Sequence, residues 1–234
     1  MRIILTLILS IYMLNASSST RSGQLIVVTA NNWKTSSAVL QRYNYKKDGL
    51  VKVGKAIRVN IGRKGLGWGR GLHKIPKRAK IIKREGDGKA PAGIFSLKQA
   101  FGYNPLSIKY PYRVYSRDNH CVDDVKSKYY NKIVDSNTID IDYSSFEYMK
   151  LRRDYYKYGI VVNHNNIAGN KKAKRGAGSC IFIHIKSSPT AGCTVMSEGN
   201  IKMILKWLNP KANPLLVQGV KGDINTLIGQ IRPL

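Results

Sequence analysis

Short runs of alternating apolar and polar positions, broken by Gly, Pro, Asn and Asp, set the character of this chain. Alternation with period two marks a half-buried strand. It predicts strands over Gln24 to Thr29, Ala38 to Tyr45, Leu50 to Ile61, Tyr158 to His164, Cys180 to Ile185 and Leu215 to Gln218. Asp48-Gly49, between the second and third of these, is a hairpin signal. In the run at Cys180, the period sends Cys180, Phe182 and His184 to one face and Ile181, Ile183 and Ile185 to the other. A Ser/Pro/Gly turn then delivers Cys193, so that this thiol and His184 can meet.

Helical spacing occurs twice. Ser144 to Asp154 places Phe146, Met149 and Tyr148 on a buried side with Ser144 as cap. After Ser197, residues Ile201, Ile204, Leu205 and Leu208 follow i, i+3, i+4, i+7, and Asn209-Pro210 stops the run. Two helices among many strands make no alternating βαβ pattern, so the predicted class is mainly β. Gly62 to Gly71 reads as a packed or mobile glycine loop around Trp68. It lacks the strand-to-helix context of a dinucleotide loop. Gly86 to Phe95 reads as a tight loop before a short strand. Asn104 to Val134 reads as irregular structure over the core, tied down by Cys121, and Asn165 to Ser179 as a charged, flexible loop.

The N-terminus changes the picture. Arg2, the apolar run Ile3 to Leu14 and small residues at Asn15 to Ser18 read as a secretory signal over 1–18, or as an uncleaved anchor. The run is short for a membrane span, which needs about 20 residues. The expected organisation is a signal at 1–18, one domain over 24–218 and a tail at 219–234, with no stable membrane span after cleavage. Lys+Arg 40 against Asp+Glu 13 gives +27, which favours an anionic partner. Export makes an anionic cell-wall polymer the expected partner rather than nucleic acid, for which the aromatics show no binding pattern.

Three cysteines in an exported chain suggest one disulfide and one free thiol. If Cys193 is a nucleophile it stays free, which leaves Cys121 and Cys180 as the pair; the other reading is that all three stay reduced. A thiol beside an imidazole suits nucleophilic catalysis, because the base takes the proton and the thiolate attacks. His73, His120, His164 and His184 are scattered without metal-ligand spacing, so neither metal nor cofactor is expected.

Two blocks together carry a family resemblance. Gly86-Asp-Gly-Lys-Ala-Pro-Ala-Gly-Ile-Phe95 resembles the D-G-x-T-P-x-G-x-F block of the L,D-transpeptidase catalytic domain, the YkuD-type family. His184 followed by Thr190-Ala-Gly-Cys193 resembles its H…[S/T]-H-G-C block. Ala191 stands where most members carry a second His, and Val195 where many have Arg or Asn, which marks a divergent branch. The resemblance implies an L,D-transpeptidase-like β-sandwich with a few short helices in the periplasm or cell envelope, acting on peptidoglycan stem peptides. Cys193 would be the nucleophile, His184 the general base and acid, and Gly192 part of the oxyanion region. Thr190, His164 and Arg152 are expected near substrate. An L,D-carboxypeptidase, with water as acceptor, and a non-catalytic basic wall-binding protein are the alternatives.

Overall fold

The computed structural model describes residues 20–234, so the segment read as a signal lies outside the described residues. The Asp-Gly hairpin forms where its signal stands: β3 (Ser37–Lys46) and β4 (Gly49–Asn60) pair antiparallel from Lys46 opposite Gly49, with β2 (Gln24–Ala30) antiparallel on β3. Ahead of them lies β1 (Thr20–Arg21). The glycine loop packs rather than projects: β5 (Leu66–Trp68) is fully buried and parallel to β6 (Ala90–Gly102).

The strand after the Gly86 block is long, not short, because Ala90, Ala92 and Gly93 are small enough to be buried on the crowded first half of β6. At Gly93, φ is +138° and an added Cβ would lie 1.9 Å from His73, so only glycine fits. Next come β7 (Tyr112–Val114), β8 (Asn119–Val122), β9 (Ile133–Asp135), β10 (Phe146–Tyr148), β11 (Tyr158–Val162), β12 (Phe182–Ile185) and β13 (Thr194–Met196). The chain ends with α1 (Glu198–Trp207), β14 (Leu215–Val220), α2 (Lys221–Ile228) and β15 (Ile231–Arg232).

The large sheet runs β11-β12-β13-β4-β3-β2-β14-β6, and β6 also pairs with β11, so the path closes on itself. Closure leaves the central strands no free edge. The fold is mainly β, 39% strand and 14% helix, consistent with an L,D-transpeptidase-like β fold. β12 splits its side chains as the alternation requires. Ile181 and Ile183 join the main core with Leu25, Phe95 and Leu216, while Cys180, Phe182, Cys193 and Val195 join a second cluster with Phe101 and Tyr156. A separate small sheet, β10-β8-β9, contributes Cys121 to that second cluster.

α1 forms as predicted, with Ser197 Oγ accepting the Asn200 amide and Ile201, Ile204 and Leu205 buried. The helix expected over Ser144 to Asp154 does not form. Asp124 takes both the amide and hydroxyl of Ser144, Phe146 stacks on His120 with centroids 3.8 Å apart, and β10 pairs with β8. Phe146, Tyr148 and the opposed His120 share one face of the strand pair, a period-two arrangement that the i, i+3 spacing of Phe146 and Met149 had masked. Only a 3-10 turn at Asp154–Tyr156 follows. Residues 219–234, read as a tail, pack onto the domain: Ile224, Leu227 and Ile231 enter the main core, and β15 pairs with β1. β14 lies inside the closed sheet, parallel to β2 and antiparallel to β6.

Candidate active site

Cys193 stands immediately before β13, and its position follows from a parallel register in which Ile183 faces Thr194 and His184 faces Val195. The thiol is 7% exposed. Its Sγ accepts the Phe182 amide at 3.3 Å and lies 3.5 Å from the Cys180 carbonyl, which accepts the thiol proton. Burial first, and the Glu147 charge second, push the thiol well above its ordinary range, so the site holds it protonated.

His184 lies on the same face. Its Nδ1 is 3.2 Å from the Tyr155 carbonyl and 3.1 Å from the Ile185 carbonyl. Carbonyls only accept, so Nδ1 carries the proton and Nε2 is the bare basic nitrogen. Burial lowers this imidazole to about 4. At neutral pH the resting pair is therefore thiol and neutral imidazole, not an ion pair. The Tyr156 ring meets His184 edge-on with centroids 4.8 Å apart and lies in the same buried cluster as Cys193.

The turn before Cys193 is fixed by Thr190. Its hydroxyl donates to the Cys193 carbonyl at 2.6 Å and accepts the Gly192 amide at 3.0 Å. The main chain of Thr190 is clamped in turn: its amide donates to the Ile61 carbonyl, and its carbonyl accepts the Arg63 amide. Gly192 leaves little room for a side chain, since a Cβ would lie 3.0 Å from Ile181 Cδ1 and 3.1 Å from the Lys89 carbonyl. The Gly86 block thus builds the floor beneath the cysteine turn. Asp87 gathers the Arg84 and Lys89 amides and the Lys83 ammonium, whose stem runs under Gly178 and Gly192. Buried Gln218 joins the two blocks, donating to the Pro91 carbonyl and accepting from the Thr194 hydroxyl.

A disulfide joins Cys121 to Cys180 and leaves Cys193 as the free cysteine. It sets the small sheet against the start of β12. Glu147 lies directly opposite Cys121, so the two side chains share the face of the small sheet that carries Cys121 into the second cluster. The residue is half-buried, but its carboxyl is crowded on all sides; burial, together with the Asp123 and Glu85 charges, outweighs the Tyr156 hydrogen bond and pushes it up to about 7.

The histidines do not share a cleft. β11 and β12 are antiparallel with Gly159 facing His184, so His164 falls beyond the opposite end of β12. His164 is 1% exposed; its Nδ1 accepts the Arg70 amide and its Nε2 donates to the Ala177 carbonyl, leaving nothing for a substrate. Arg152 is exposed, in the segment that leads to Tyr155. Its neighbour Arg153 bonds the Tyr155 hydroxyl at 3.1 Å, and Lys186 lies over the Tyr155 ring. Sequence reasoning missed Tyr155, Tyr156 and Glu147 because all three fell in or next to a stretch read as helix. No sequence signal marks a backbone carbonyl as a histidine anchor.

A family model described as the YkuD L,D-transpeptidase catalytic domain matches residues 25–217. No match was found among curated proteins or among solved structures.

Proposed function

Because this chain belongs to the L,D-transpeptidase catalytic-domain family, we propose that it is an exported cysteine acyltransferase that cuts and rejoins peptidoglycan stem peptides. The observation that carries this reading is the His184 ring, tied at Nδ1 to the Tyr155 carbonyl and offering Nε2 on the face of Cys193. Cys193 Sγ attacks the carbonyl between the L-centre of the diamino acid and the terminal D-Ala while its proton passes to His184 Nε2. His184 returns that proton to the departing D-Ala amine as the C–N bond breaks, leaving a thioester. An acceptor amine then attacks the thioester, its proton passes through His184, and the thiol is restored.

Proton transfer concerted with attack suits a site that disfavours a free thiolate. The Gly192 amide is spent on Thr190, so we assign the Cys193 amide as the oxyanion donor. Loss of one such donor typically costs about 10²–10³ in rate. The disulfide supports an oxidising compartment, in keeping with export by residues 1–18. The charge of +27 supports an anionic wall polymer as a second partner.

Incubation of the purified protein with defined tetrapeptide muropeptides, read by mass spectrometry, tests the reading. Crosslinked dimers are the expected product. Tripeptides alone identify an L,D-carboxypeptidase, with water as acceptor. An inert thiol with salt-sensitive sacculus binding would identify a non-catalytic wall binder and overturn the proposal.

A further inference from the structure

An open groove of about 650 Å³ lies beyond the end of β12 remote from His184, between Arg70 to Leu72 and the loop 163–174. Arg70, Lys98, Lys171, Lys172 and Lys174 line it, and no carboxylate does. All five bases are exposed, and none has an ion-pair partner among the described residues, where the pairs use Lys83, Lys157 and Lys202. Two other cavities hold two bases each: Lys55 and Arg58 beside Met203, and Arg78 and Lys80 together with Asp223. The hydrogen bonds of Cys193 and His184 involve none of the five.

Buried side chains hold the groove in shape. His164 Nδ1 accepts the Arg70 amide and the Arg70 carbonyl accepts the Asn165 amide, so the main chain of Arg70 is fixed on both sides. Asn165 is buried, and its side chain accepts the Lys174 amide and donates to the Lys174 and Gly178 carbonyls. Asn163 ties the Ser96 hydroxyl to the Ala168 amide, and both Ser96 and Lys98 stand on β6. The loop expected to be flexible is therefore braced against the sheet, with its three lysines in one groove with Arg70 and Lys98. Like charges gathered without counter-charge repel one another and work against the compact state. An anion that bridges several of them removes that repulsion.

Resting on the reading of this chain as an exported wall enzyme, we propose that the groove is a docking site for a phosphodiester-linked anionic polymer of the wall, whose successive phosphates meet Arg70, Lys98, Lys171, Lys172 and Lys174. A chain with a charge on every unit matches five clustered cations, whereas one stem-peptide carboxylate would neutralise a single one. The Arg70 fork fits two phosphate oxygens at once, and the lysines add point charge along the strand. Docking there holds the enzyme on the wall and leaves His184 and Cys193 free for stem peptides.

The test compares wild type with a groove variant combining Lys98→Gln, Lys171→Gln, Lys172→Gln and Lys174→Gln. A control combines Lys46→Gln, Lys47→Gln, Lys52→Gln and Lys77→Gln, four exposed lysines outside the groove, so both variants lose the same charge. The probe is a polyglycerol phosphate chain, with polyglutamate and single-stranded DNA of equal charge beside it. The groove variant is expected to bind the probe roughly tenfold to a hundredfold more weakly, and its slope of log affinity against log salt should fall by about 3. The control should lose less than about threefold. Release of D-Ala from a soluble tetrapeptide should proceed at the wild-type rate in both variants. No binding by wild type, or an equal loss in the control, would overturn the proposal, since net charge alone would then account for the attraction. Polyglutamate bound as tightly as the probe would overturn the choice of phosphate, and DNA bound more tightly would make the partner nucleic acid. Were wild type to release no D-Ala and still bind the probe through the groove, the acyl-transfer reading would fall and the docking site would stand.

Discussion

Gly192 and Thr190 show how little freedom the cysteine turn has. A methyl at Gly192 meets Ile181 and the Lys89 carbonyl, and backbone cannot yield as a flexible side chain would. Gly192→Ala is therefore expected to displace Cys193 and slow acylation by about tenfold or more, checked by the rate of D-Ala release from a tetrapeptide. Thr190→Val keeps the shape but strands the Gly192 amide, at an expected cost of about 1–3 kcal/mol in urea unfolding. At this scale the sequence was informative where side chains alternate. Cys180, Phe182 and His184 share the face that alternation assigns them. It was silent on what the histidine's second nitrogen does, because Tyr155 acts through its carbonyl, which every residue has.

Among elements, the small sheet is held to the closed sheet by the Cys121–Cys180 bond and by Asn131, whose side chain bonds the Cys180 amide and the His164 and Asn165 carbonyls. The bridged residues are 59 apart, and closing a loop of that length is worth about 4 kcal/mol on the chain-entropy account. Reduction should lower the calorimetric melting temperature by several degrees or more, and peptide mapping without reductant should find Cys121 joined to Cys180. A bridge that includes Cys193 would contradict the site itself. The hairpin at Asp48-Gly49 and the helix after Ser197 were legible because their signals are local. β10 was not: its apolar spacing fits a helix as well as a strand, and the choice is made by Asp124 and His120 from distant parts of the chain. The C-terminal helix was missed for a similar reason, since its short run gains stability only by burying Ile224 and Leu227 in the core.

Over the whole molecule, buried titratable groups set how stability follows pH. His184 is lowered to about 4 and His164 to about 3 from an ordinary 6.5, both chiefly by burial. Below about 6.5 the unfolded histidines bind protons that the folded ones refuse, so stability is lost as pH falls through that window towards about 3. Glu147 acts with the opposite sign. Raised to about 7 from 4.5, it keeps a proton that the unfolded chain has lost, so its contribution fades as pH rises between those values. Glu147→Gln should therefore steepen the rise in melting temperature between about pH 4.5 and 6.5 in calorimetry across that range. The net charge of +27 gives a second global expectation: binding to isolated anionic wall polymer should weaken steadily as salt rises from about 50 to 200 mM. The central claim, that Cys193 carries the acyl group, is tested most directly by the intact mass of the protein after brief exposure to a tetrapeptide stem. The account predicts an adduct of the donor stem less its terminal D-Ala, mapped to Cys193 and absent from Cys193→Ser; turnover by Cys193→Ser at the wild-type rate would contradict it.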